Sequence, residues 1–231
     1  GAGRNLYREE KIMSMVSLIV NFVPIILAIV LHELAHGYAA YRLGDNTAKI
    51  YGRLTLNPLK HVDLFGTILL PALLYFSQAG FMFGWAKPVP VNFNNLRRSK
   101  RDLIIVASAG IVTNLALAVV SAVLLKFISI LPQSTAQGVI GLFLLNMVVF
   151  NVVLAIFNAL PVPPLDGSKI LFGWINKPWA QKYISAERQG LAAIVLIAFI
   201  LPAVGGRFGF DLNFFGMLLI KGAKLILSIL L

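Results

Sequence analysis

Two of the three histidines in this chain stand four residues apart, in His32-Glu33-Leu34-Ala35-His36. On an α-helix that spacing puts both imidazoles on one face, a turn apart, within reach of a single ion. Glu33, next to the first histidine, can then reach a water bound to that ion. This is the H-E-x-x-H arrangement of a zinc hydrolase, with two nitrogen ligands and a general base. The flanking run from Met13 to Tyr41 is apolar, which sharpens the reading. Two histidines and a carboxylate are costly in hydrocarbon unless they have a partner. The plainer alternative is a polar cluster satisfied by neighbouring helices.

A catalytic zinc takes a third protein ligand and keeps one position open. With no cysteine in the chain, that ligand must be a carboxylate or His61. The extended metzincin pattern would need a histidine where Arg42 stands, and the next glutamate after Glu33 is Glu187. Asp45, Asp63, Asp102, Asp211 and Glu187 lie beside basic or loop residues and read as solvated charges. Asp166 differs. It follows Pro161, Pro163 and Pro164 at the end of an apolar helix and precedes Gly167. Prolines stop a helix and free its carbonyls, which is tolerated at membrane depth only where backbone is buried in protein or lines a cavity. Asp166 is therefore the expected third ligand. His61, beside Lys60 and Asp63, reads as an interfacial residue.

The elements that must hold these residues are membrane helices. Of 231 residues, 58% are hydrophobic and 13% charged, with a mean hydropathy of +0.84. A soluble domain carries about 45–50% and about 25%, so a soluble enzyme, a disordered chain and a disulfide scaffold are all excluded. The net charge of +11 fits cytoplasmic loops facing anionic headgroups rather than nucleic acid, for which no recognition motif is present. Met13–Tyr41, Leu64–Phe83, Leu103–Ile130, Val139–Leu160 and Ser185–Leu201 are apolar enough for membrane segments, the second broken by Pro71 and Gly80. Asn213–Leu231 carries Lys221 and Lys224 and could lie at the interface. Basic residues crowd 42–60, 97–101 and 169–188, whereas Leu131–Gly138 has no charge. The first three stretches are accordingly expected in the cytoplasm and the last on the other side. Leu64–Asn92 must then leave and return on one side. Arg4, Arg8 and Lys11 pull mildly the other way, offset by Glu9 and Glu10. The chain begins Gly1-Ala2-Gly3, and no cleavable leader pattern follows.

His32-Glu33-Leu34-Ala35-His36-Gly37 together with Asn158-x-x-Pro161-x-Pro163-x-Leu165-Asp166-Gly167 resembles the site-2 protease family of intramembrane zinc metalloproteases. Gly44-Asp45, Leu56–His61, Gly84–Asn92 and Gly110-x-x-x-Asn114 match in the family's order, so the likeness covers most of residues 31–175. It is nearest to small prokaryotic members without a PDZ or CBS domain. Ile111 departs from the proline usual after that glycine. The resemblance implies zinc on His32, His36 and Asp166, with Glu33 as the base. It also implies that Asn158, and less firmly Asn114, contacts the substrate backbone or a developing oxyanion. Gly84–Asn92 would form a membrane-dipping β-hairpin whose edge takes an unwound substrate as an added strand, with Val89 and Val91 tuning selectivity. Asn146 and Asn151 read as inter-helix glue, and Met82, Met147 and Met217 as packing.

The sequence thus predicts an all-α polytopic membrane protein of five to six helices, with a re-entrant segment and a small hairpin. It forms a single domain over 1–231, with a core at 13–175 and C-terminal helices at 185–231. The expected activity is a zinc endopeptidase, with one Zn²⁺ per chain, cutting transmembrane protein substrates in a prokaryotic cell membrane, its site nearer the cytoplasmic face. Its surroundings are the lipid bilayer, and no nucleic acid is involved. The rival reading is a metal transporter using histidine and carboxylate transit sites, which would need several polar stations along its path.

Overall fold

In a computed structural model, which describes residues 2–76 and 84–231, the chain is helical throughout its ordered elements, and no strand occurs among the described residues. In chain order the helices are α1 (Ala2–Arg42), α2 (Thr47–Ile50), α3 (Leu70–Phe76), α4 (Ser99–Ser129) and α5 (Thr135–Ala159). They are followed by α6 (Asp166–Phe172), α7 (Pro178–Ile184), α8 (Glu187–Val195), α9 (Leu201–Arg207) and α10 (Phe214–Leu230).

Among the described residues, four stretches are long and apolar enough to cross a bilayer: Met13–Arg42, Lys100–Ser129, Thr135–Ala159 and Glu187–Arg207. The last joins α8 to α9 through a π-helical stretch at Leu196–Ile200. Pro202 there lacks the N–H that would bond back one turn, and the helix widens just ahead of it. Two further segments were expected to bring the number to five or six. Of Leu64–Phe83, the described part ends at Phe76, and residues 77–83, with Gly80 and Met82, lie outside the described residues. α10 has 17 residues, or about 25 Å at 1.5 Å per residue, short of a hydrocarbon core of about 30 Å.

The core is a three-helix unit of α1, α4 and α5, with α10 against α5. Ala118 and Ala122 of α4, Val148 and Val152 of α5 and Ala223 of α10 are buried together. Small residues let helix backbones approach closely where no water-driven collapse operates. Side-chain amides add hydrogen bonds: Asn146 Nδ2 of α5, half-buried, donates to the Val20 carbonyl of α1 at 2.9 Å. The outer faces carry exposed large side chains such as Phe22, Val120 and Phe127. In water these would be a liability; facing acyl chains they are the expected surface. Ser134 starts α5 by accepting the Gln137 N–H at 3.1 Å.

The Gly84–Asn92 segment was expected to be a hairpin, yet it runs without ladder pairing among the described residues. Its backbone is instead fixed group by group to the surrounding protein. Trp85 N–H donates to the Gly66 carbonyl, and the Trp85 carbonyl accepts from Thr67. Lys87 N–H donates to the His61 carbonyl, while Arg53 donates to the carbonyls of Lys87 and Pro88. Val89 N–H donates to Glu33, and Asn92 N–H to Asp45. Pro88 and Pro90 have no N–H to offer a partner strand.

Candidate metal centre

α1 carries His32, Glu33 and His36; α6 opens with Asp166; α4 passes behind both imidazoles. His32 Nε2 and His36 Nε2 lie 2.9 Å apart, and Asp166 Oδ2 is 3.3 and 3.2 Å from them. All three side chains are buried. His32, His36 and Asp166 form the one cluster among the described residues whose ligand atoms could share an ion.

The hydrogen bonds on the far side of each ring decide what sits between them. His36 Nδ1 is 2.7 Å from the Val106 carbonyl, which can only accept, so Nδ1 carries the proton. His32 Nδ1 is 2.6 Å from Asn114 Oδ1. That amide is oriented by its own nitrogen, which donates to Asn151 Oδ1 at 2.8 Å and to the Ala28 carbonyl at 3.2 Å. Asn151 in turn donates to the Met147 carbonyl. Both histidines therefore present bare Nε2 lone pairs to each other and to a carboxylate oxygen that has no hydrogen-bond donor. Three acceptors face one another. A single proton can bridge only two of them; a divalent cation serves all three. With zinc–ligand distances of about 2.0–2.2 Å, tetrahedral ligands stand about 3.3 Å apart, so the donor set and its spacing fit zinc.

Gly110 makes this approach possible. A Cβ there would fall 2.5 Å from His32 Cε1 and from His36 Nε2, so any side chain would push the rings off α4. One turn on, Asn114 braces the same histidine.

A cavity of about 580 Å³ opens on the cluster, lined among others by Glu33, Trp85, Val89, Asn158, Lys169 and Glu187. Glu33 Oε2 accepts the Val89 N–H at 2.7 Å, which leaves Oε1 free to act. Asn158 Nδ2 gives one hydrogen to the Leu154 carbonyl at 3.0 Å, and its second hydrogen remains for the cavity.

Other expected residues sit differently. Asn114 has no exposed surface and bonds to His32, so it orients that imidazole from behind. The Val89 side chain is buried against Gly37, and Val91 packs on Ala40, Leu96 and Val106. What Val89 presents to the site is its N–H. Asn151 does more than join helices, since it fixes the orientation of Asn114. His61 is buried rather than interfacial, and Nε2 lies 3.0 Å from the Thr55 carbonyl.

Asp45 and Asp102 are buried too, not solvated. Asp102 accepts the Arg98 N–H ahead of α4. Burial pushes the Asp45 carboxyl up, but donors on Thr47, Asn95 and Asn92 outweigh it and hold the group below the usual carboxylate range. Asn92 and Asn95 lie far along the chain from Asp45, and only the Gly44-Asp45 likeness pointed to Asp45.

A sequence model of peptidase family M50 matches residues 125–203. The chain is 38% identical over 187 residues to YwhC of Bacillus subtilis, provisionally named a zinc metalloprotease, with 78% of this chain and 80% of that protein covered. It is 31% identical over 188 residues to Rip2 of Mycolicibacterium smegmatis, which bears the same provisional description, with 81% and 68% covered. Rip2 of Mycobacterium tuberculosis is 27% identical over 183 residues, with 79% and 67% covered. No solved structure matches the chain. A zinc-compatible cluster among four membrane-length helices, on a chain this similar to YwhC along most of both proteins, leads to one assignment: the chain belongs to peptidase family M50, the site-2 protease family, and is a membrane zinc metalloprotease.

Proposed function

We propose that this protein hydrolyses peptide bonds within or beside the transmembrane segments of membrane protein substrates, as one membrane-embedded domain holding one zinc on His32, His36 and Asp166. The observation that carries the reading is the buried triangle of Nε2, Nε2 and Oδ2 with no donor inside it. Zinc there would act as a Lewis acid toward a scissile carbonyl and lower the pKa of water. The chain's own residues do the rest. Asn114 and Val106 keep both Nδ1 atoms protonated, so each Nε2 lone pair faces the ion. Val89 N–H holds one oxygen of Glu33, and Oε1 takes the proton of the attacking water and later returns it to the leaving amine.

A substrate helix hides its carbonyls in its own hydrogen bonds and must unwind to be cut. The Gly84–Asn92 segment lies along the cavity and is the element beside which an unwound stretch would run. Its remaining edge can offer mainly carbonyls, because four of its donors are spent on the protein and two positions are proline. A transporter would need successive polar stations, whereas the ligand cluster among the described residues sits at one depth.

Asn158 is the proposed oxyanion donor. Asn158→Ala should retain zinc and lose turnover by about 2.7–4 kcal/mol, the range for one such donor. Zinc content and single-turnover cleavage of a membrane-spanning reporter check this. A wild-type rate would remove Asn158 from the machinery.

The proposed orientation puts the loops at 42–60, 97–101 and 169–188 in the cytoplasm of a prokaryotic cell. His36 then lies about 9 Å from the end of α1 at Arg42, and water reaches the site through the cavity. Gln133 is exposed between α4 and α5 and does not cap α5, as Ser134 does. In intact cells, Gln133→Cys should label with an impermeant thiol reagent and Thr55→Cys should not. The reverse pattern would invert the topology.

A further inference from the structure

The ligand Asp166 arrives on a segment, Leu160–Leu165, that cannot hold itself in place. Three of its six residues are prolines and have no N–H, so its carbonyls depend on donors from elsewhere. Val162 O is taken by Leu165 N–H at 2.9 Å, and Leu165 O by Ser168 Oγ at 2.7 Å. Pro164 O is taken by Lys169 Nζ at 3.2 Å. Those donors belong to the segment itself or to α6, which moves with Asp166. They give the turn its shape but not its place.

α6 packs on α4 and α5, and the segment itself is held by α7 and α8. Tyr183 of α7 donates its hydroxyl to the Pro161 carbonyl at 2.6 Å. The same ring stands edge-on to Phe172, at the far end of α6, with centroids 4.9 Å apart, and Trp179 contacts Phe172 as well. One side chain therefore ties the start of the segment to the end of the helix it feeds. Gly190 of α8 lies flat against Pro163, where any side chain would collide with the Pro163 carbonyl. The contact requires glycine because only a bare Cα lets a helix approach another backbone so closely.

We propose that Tyr183 and Gly190 are positioning residues for the metal site, clamping the proline turn so that Asp166 Oδ2 stands against the two histidines. The inference rests on the reading of His32, His36 and Asp166 as the zinc ligands. It adds a dependence of the metal site on α7 and α8, which supply none of its ligands.

The test is a zinc competition titration of the purified full chain in detergent micelles against a chromogenic chelator. It is run for wild type, Asp166→Ala, Tyr183→Phe and Gly190→Ala, with the visible spectrum of the Co²⁺ form and the thermal midpoint of the metal-free chain. Tyr183→Phe keeps the ring on Phe172 and removes only the hydroxyl. Its zinc affinity should fall about tenfold, the low end for partners that orient ligands, with altered Co²⁺ ligand-field bands. Gly190→Ala should weaken zinc further; if it does not fold, Tyr183→Phe alone decides. A purely structural role would lower the metal-free midpoint but leave the zinc affinity and Co²⁺ spectrum unchanged, and that result overturns the inference. Equal zinc affinity in wild type and Asp166→Ala would overturn the ligand assignment itself, and the inference with it. Loss of zinc in Asp166→Ala beside wild-type affinity and spectrum in Tyr183→Phe would overturn the inference alone.

Discussion

Glu33→Gln is expected to lower cleavage by about 10²–10⁴-fold, the usual contribution of a general base, while each chain keeps its zinc. The reason is geometric. Glu33 stands outside the Nε2–Nε2–Oδ2 triangle and gives one oxygen to the Val89 N–H at 2.7 Å. Glutamine can keep an oxygen at that position, so the Gly84–Asn92 segment stays anchored. It cannot accept the proton that Oε1 would take. Zinc per chain, measured by elemental analysis, and turnover of a membrane-spanning reporter separate the two roles. Loss of zinc in this variant would mean that Glu33 ligates the ion.

Asp166→Ala should cost both metal and activity. Removing Oδ2 leaves two imidazole lone pairs 2.9 Å apart with no anionic partner to complete the site. Affinity should fall by more than the ~10–100-fold typical of losing a residue that merely orients a ligand. Asp63→Ala and Asp211→Ala are the matched controls. Asp63 caps the turn at Gly66 and Asp211 accepts the Asn213 N–H, and neither reaches the cluster. Both should keep zinc. Full zinc occupancy in Asp166→Ala would turn the search toward Glu187, the other carboxylate besides Glu33 that lines the cavity.

The site was legible in the sequence where its logic is local or exclusionary. His32 and His36 could be paired because helical spacing alone puts them together. Asp166 stood out because three prolines interrupt an apolar helix just before it, and the structure brings its carboxylate to both imidazoles. The residues that orient the two imidazoles were harder. Asn114 and Asn151 sit 82 and 119 positions from His32, and an amide in an apolar helix has no pattern that distinguishes a histidine brace from inter-helix glue. The same limit applies to Asp45, Asp102 and His61. Asp45 draws donors from the distant Asn92 and Asn95, while Asp102 accepts the nearby Arg98 N–H and His61 lies against the Thr55 carbonyl; the charged neighbours of all three in sequence suggested solvent instead.

The extended segment shows a different kind of failure. Alternating Trp85, Lys87, Val89 and Val91 suggested an edge strand, and strand periodicity was the wrong guide. Pro88 and Pro90 remove donors, and the N–H groups of Trp85, Lys87, Val89 and Asn92 are taken by Gly66, His61, Glu33 and Asp45 rather than by a partner strand. The fold was legible as helical and membrane-embedded from composition alone. The number of spans was less so, because an apolar run of 17 residues such as α10 satisfies hydropathy before it satisfies bilayer thickness.

The central claim is that zinc-dependent hydrolysis takes place inside the bilayer on a transmembrane helix. The most direct measurement reconstitutes the purified zinc-loaded chain in lipid vesicles with a reporter of one apolar span between two soluble tags, and maps the products by mass spectrometry. The account predicts a cut within the span or at its border, slowed about 10²–10⁴-fold by Glu33→Gln, abolished by zinc chelation and restored when zinc is returned. Cleavage confined to the soluble tags, or cutting at the wild-type rate in Glu33→Gln, would contradict it.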